Sequence, residues 1–133
     1  MLVGGGDAPD GGHYVMPHVF DGIAPDAKLA QDEVFGPVLA LIKVKDFEEG
    51  LQVANNTDYG LTGSVFTDNE EHKKEAMDRF HVGNFYINRK CTGALVGAHP
   101  FGGFNMSGTD SKAGGPDYML QFLQAKTISE KVS

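Results

Sequence analysis

Between residues 38 and 88 the chain alternates between short apolar runs and capped amphipathic stretches, and that rhythm leaves few folds open. Residues 38–44, VLALIKV, are nearly all apolar, as expected of a strand buried on both faces. Asp46, with Glu49 three residues on, makes an Asp-variant capping box, and Phe47, Leu51 and Ala54 then share one helical face. Asn55-Asn56 ends that helix, and Tyr59-Gly60 turns into a second strand over 61–67. Asp68 with Glu71 caps another helix; its inner stripe is Ala76, Met77 and Phe80, and Gly83 closes it. A third strand follows over 84–88. Strand, helix, strand, helix, strand with short links predicts an α/β fold, a parallel sheet with covering helices.

The flanks are organised by glycine, 18 of the 133 residues. The opening GGGDAPDGG reads as a hairpin or surface turn. As a phosphate loop it lacks the Gly-Lys-Ser/Thr ending, and Asp7 and Asp10 would repel phosphate. Residues 13–20 read as extended, and Pro17 demotes them to an edge or interrupted strand. Residues 89–115 form a long Gly-rich loop, which in a compact domain points to function or disorder. Pro116 opens a last short helix with Met119, Phe122 and Leu123 facing in. Residues 125–133 read as an edge strand of mixed polarity that needs a partner.

Length suits one domain with a real core. Eleven basic against 18 acidic side chains give a net charge of −7, which speaks against binding a nucleic-acid backbone. No apolar run reaches the roughly 18–20 residues of a membrane span, and the first residues read as neither signal nor transit peptide. A single cysteine, Cys91, rules out an internal disulfide framework and fits a reducing cytoplasm.

Cys91 is the obvious candidate nucleophile, with Arg89 and Lys90 placed to lower its thiol pKa; the bland reading is a small residue at a strand end. The five histidines show no metal-ligand spacing, so no metal is expected. Two segments look unlike filler. QDEVFGPV puts Glu33 and Phe35 ahead of a Gly-Pro turn feeding a strand, at a sheet end where open α/β folds bind ligands. In residues 91–108, glycines let backbone N–H groups approach a ligand and form an anion-binding nest.

EVFGPV, YGLTGSVFT, and PFGG followed by MSG resemble successive motifs of the aldehyde dehydrogenase superfamily, in the family's order along the whole chain. Within it, INRKCTGALVG and SGTDSKAGGPDYMLQFLQAKTISEK resemble the 1-pyrroline-5-carboxylate (L-glutamate γ-semialdehyde) dehydrogenases. The resemblance implies part of a three-layer, parallel-sheet catalytic domain in residues 1–124, and a strand for subunit association in residues 125–133. It implies a soluble, cytoplasmic homo-oligomer that uses NAD to oxidise an aldehyde bearing a carboxylate, in proline degradation.

By the same resemblance, Glu33 matches the glutamate that accepts hydrogen bonds from the nicotinamide ribose, and Phe35 the aromatic at the nicotinamide end. Gly93 and Ala94 match the loop whose N–H groups anchor the substrate carboxylate, and Phe101 an aromatic wall of the aldehyde channel. The family's nucleophilic cysteine and general-base glutamate lie in segments upstream of the EVFGPV-type motif. The resemblance therefore makes these residues the C-terminal portion of a longer enzyme, without a catalytic residue of their own and inactive alone; Cys91 falls in the anchor segment. The alternatives are another aldehyde dehydrogenase subfamily, or a short non-catalytic module that binds an anion or a partner.

Overall fold

The computed structural model describes residues 1–95, 97–108 and 112–133. The chain divides into two compact units, Met1–Thr57 and Asp58–Ser133. This division falls inside the stretch that the sequence reading treats as one piece.

The first unit holds β1 (His18–Asp21), α1 (Lys28–Gln31), β2 (Val38–Leu41) and α2 (Phe47–Asn55). β1 begins only after Pro17 and pairs in parallel with β2, His18 opposite Val38 and Asp21 opposite Leu41. Val3 of the Gly-rich opening bridges Val19 in antiparallel sense. Asp46 caps α2 as its spacing predicts, accepting from the Glu49 N–H at 2.8 Å, while the Glu49 carboxylate reaches back to the Lys45 N–H at 2.6 Å. Leu51 is the buried residue of this helix; Ala54, expected beside it, is exposed. β2 is also a correction. Val38 and Ala40 are half-buried, but Leu39 is 54% exposed, so the strand alternates. An apolar strand is buried on both faces only where two layers cover it, and the residues of this unit cover one.

The second unit holds β3 (Tyr59–Gly60), β4 (Thr62–Val65), α3 (Glu70–Arg79), β5 (Asn84–Ile87), β6 (Phe104–Asn105) and a 3-10 turn at Tyr118–Phe122. β4 and β5 pair in parallel around α3, in the order the sequence predicts. β3 pairs antiparallel with β6. The cap of α3 is Asn69 rather than Asp68: its side chain accepts from the Glu71 and His72 N–H groups. Ala76 is fully buried, and Phe80 meets Phe85 of β5 edge to face, with ring centroids 5.6 Å apart. Met77 points away and is exposed, since it lies about 100° around the helix from Ala76.

Further expectations are corrected in this unit. Met119, Phe122 and Leu123 do not face in; each is about two-thirds exposed, because a one-turn 3-10 segment meets no covering layer among the described residues. Residues 125–133, read from the sequence as an edge that needs a partner, form no ladder with any described residue. Gly83 does not cap α3 either. It sits where the chain passes so close to Gly102 that a Cβ would lie 1.7 Å from the Gly102 carbonyl oxygen.

Candidate functional site

In the first unit, the segment carrying Glu33 and Phe35 is held at its two ends. On one side, Gln31 donates through its amide to the carbonyls of Pro25 (2.6 Å) and Asn56 (2.9 Å). On the other, the Pro37 carbonyl accepts from His18 N–H at 2.9 Å, at the start of the parallel pair. Between these ties, Glu33 is exposed and accepts no hydrogen bond from any described residue. Phe35 has φ +51° and its ring is 89% exposed. A bulky residue held in the left-handed region costs roughly 1–2 kcal/mol, and no packing within the unit offsets that cost.

In the second unit, the Gly-rich loop is anchored along its length. The Asn84 side chain donates to the Pro100 carbonyl (3.0 Å) and accepts from the Gly102 N–H (3.3 Å). Phe101 and Ala113 exchange backbone hydrogen bonds at 2.7 and 2.9 Å. Lys112 Nζ donates to the Gly103 carbonyl at 2.7 Å and stands 4.4 Å above the Phe104 ring. Ser107 Oγ accepts from the Gly60 N–H at 3.0 Å. YGLTG, PFGG and MSG, far apart in sequence, thus meet around the β3–β6 pair.

At the far end of β5, Asn88 turns the chain with φ +52°. Its amide accepts from the Thr67 N–H (2.8 Å) and donates to the Thr67 carbonyl (3.0 Å). It stands in for one more ladder residue and launches the segment from Arg89 onward.

Gly93, Ala94 and Phe101, three residues that the sequence singles out, line one groove of about 660 Å³ together with Cys91, His99 and Tyr118. The N–H groups of Gly93 and Ala94 donate to no described residue. Gly93 has φ +99°. Next to it, Leu95 N–H donates to His99 Nδ1 at 3.2 Å, and His99 N–H returns to the Leu95 carbonyl at 2.8 Å. Cys91 is a free, half-buried thiol on the wall. Val96 and residues 109–111, part of the SGTDSKAGG motif, lie outside the described residues. Among the described residues no cluster of metal-ligating side chains occurs, and no helix is long and apolar enough to cross a membrane.

The aldehyde dehydrogenase family profile matches residues 1–128. The chain belongs to the aldehyde dehydrogenase family. Among curated relatives, it is 61% identical over 130 residues to 1-pyrroline-5-carboxylate dehydrogenase 2 of Bacillus subtilis, and 61% identical over 130 residues to the 1-pyrroline-5-carboxylate dehydrogenase of Bacillus pumilus. Each match covers 97% of this chain and 25% of the relative, so the chain spans about a quarter of their length. A Thermus 1-pyrroline-5-carboxylate dehydrogenase solved with bound NAD superposes with a TM-score of 0.77 at 57% identity, over 80% of this chain and 20% of that one. The α/β fold with parallel strand pairs is that of the aldehyde dehydrogenases.

Sequence reasoning passed over Asn84, Asn88, Ser107 and Lys112, and read Arg89 only as a neighbour of Cys91. The two asparagines leave a signal, since they bracket an apolar strand at both ends where a core strand would carry apolar residues. Ser107 and Lys112 leave none, because their partners lie 47 and nine residues away.

Proposed function

We propose that these residues are the C-terminal portion of an NAD-dependent dehydrogenase that oxidises glutamate γ-semialdehyde to glutamate in proline degradation. In this reading they supply cofactor and substrate contacts, and the nucleophile comes from elsewhere in the enzyme. The observation that carries it is the groove. Two adjacent backbone N–H groups, Gly93 and Ala94, donate to no described residue, and both residues line the groove with Phe101. Neighbouring N–H groups of this kind bind anions. A short aldehyde with a carboxylate at its far end needs an anion site at a fixed distance from the reacting carbon. Backbone donors provide it without a mobile side chain.

The residues of the first unit fit NAD in kind. Glu33 offers two unpartnered acceptor oxygens to vicinal ribose hydroxyls. Phe35, held open at the cost of backbone strain, offers an apolar ring face. NAD, when bound, takes up the hydride that leaves the aldehyde carbon. Phe101 walls the aldehyde end of the groove against water, and the anchor fixes the far end, so that the reacting carbon is presented in one position. Residues 125–133, which pair with no described residue, are in this reading the strand of subunit association in a homo-oligomer.

The test is NADH production from glutamate γ-semialdehyde, in the full-length enzyme and in the 133-residue chain. The full-length enzyme is expected to turn over and the chain to be silent. Turnover by the chain that disappears in Cys91→Ser would overturn this division of labour and make Cys91 the nucleophile.

A further inference from the structure

Arg89 stands immediately behind the anchor loop. Its Nη2 donates to the Thr92 carbonyl at 3.0 Å, and its guanidinium carbon lies 5.2 Å from the centre of the Tyr86 ring. The same Nη2 is 2.9 Å from the point a Cβ on Gly93 would occupy. Arg89 is not among the residues lining the groove that holds Gly93 and Ala94; it borders a separate cavity with Tyr86 and Asn84.

This geometry has a consequence for the peptide between Thr92 and Gly93. No cis peptide bond occurs among the described residues. In a planar trans peptide the C=O and the following N–H point in opposite directions. A carbonyl held toward Arg89 therefore aims the Gly93 N–H away from Arg89. A hydrogen bond from a cation to that carbonyl also polarises the peptide and strengthens its N–H as a donor. The positive charge lies behind the donor pair, where it favours an anion in a chain of net charge −7. Glycine suits position 93 because its φ is +99°, and a side chain there would also push the guanidinium aside.

We propose that Arg89 is the positioning residue of the anchor loop, holding the Thr92 carbonyl from behind so that the Gly93 N–H faces the substrate carboxylate. The proposal rests on the anchor reading above. Arg89 touches no substrate. Set over the Tyr86 ring, its guanidinium makes one peptide both oriented and electron-poor, and lysine lacks the planar fork for that directed donation.

The test compares glutamate γ-semialdehyde with propanal, which has no carboxylate, in the full-length enzyme and in Arg89→Met, Arg89→Lys and Gly93→Val. Arg89→Met is expected to reduce the preference for the semialdehyde over propanal roughly tenfold, read as the ratio of their kcat/KM values. Arg89→Lys is expected to recover part of the loss through its charge. If Arg89→Met lowers kcat/KM for both aldehydes by one factor, or leaves the preference intact while Gly93→Val abolishes it, the positioning role is overturned and the anchor stands. If Gly93→Val also lowers both equally, the anchor reading falls and takes this proposal with it.

Discussion

The two exposed segments that carry the candidate contacts are built in opposite ways. The loop from Arg89 to Gly115 is tied into its own unit by side chains of Asn84, Ser107 and Lys112 and by the Phe101–Ala113 pair. The segment with Glu33 and Phe35 is fastened only at its ends, and its aromatic ring rests on nothing in its unit. The difference teaches where each geometry comes from. The groove proposed to hold an anion is shaped by residues of this chain. The segment with Glu33 and Phe35 is strained and open, and its own unit gives the Phe35 ring no packing.

Gly83→Val should separate the two regions most sharply. Its Cβ would meet backbone, the Gly102 carbonyl, so neither side can yield, and the cost should be about 3 kcal/mol or more. Limited proteolysis should then cut residues 89–115 much faster, with cleavage in the first unit unchanged. Equal rates in both regions would show that the loop does not depend on that approach.

Glu33→Gln keeps shape and removes charge. In the full-length enzyme it should weaken NAD by roughly 1–3 kcal/mol while the melting temperature stays put. Unaltered NAD affinity by titration would remove Glu33 from the cofactor site.

Phe35→Asn sharpens the contrast from the other side. Asparagine accepts the left-handed region, and an 89% exposed ring loses no packing, so stability should rise by about 1 kcal/mol. NAD affinity should fall in the same variant. A drop in chemical-denaturation midpoint would mean that the ring is packed in solution.

Asp21 carries the smallest effect. The Lys43 ammonium, 3.1 Å away, and then the Gly22 N–H hold its carboxyl below the usual 3.8. A carboxyl lowered in the folded state stabilises fully above its unfolded value, and that contribution fades as pH falls through the folded one. Asp21→Asn should therefore lower stability slightly at neutral pH, flatten the acid limb by that same small amount, and converge with the parent once the carboxyl is protonated. An identical acid limb in the variant would contradict it.

What was legible in the sequence follows from how local each cause is. The α2 cap was readable because Asp46 and Glu49 act across three residues. The Gly-rich loop was readable as a run of glycines and small residues, and Gly93, Ala94 and Phe101, which the family resemblance marks, line one groove. The cap of α3 was missed by one residue, because Asp68 and Asn69 are both good caps and only geometry chooses between them. α1 was missed because four residues with no capping side chain carry no periodicity. The burial of Leu39, Met77 and Phe122 was misjudged for one shared reason. An apolar residue states a preference, and the layer that would satisfy it is not written in its neighbours.

The central claim is that the Gly93–Ala94 loop reads a carboxylate, and direct binding tests it without chemistry. Glutarate mimics the far end of the semialdehyde and lacks the aldehyde; its dissociation constant can be measured by calorimetry on the full-length enzyme and on Gly93→Val. The account predicts saturable binding in the parent enzyme and a loss of roughly tenfold or more in the variant, the scale of one or two charge-assisted hydrogen bonds. Equal affinity in the two proteins would contradict it.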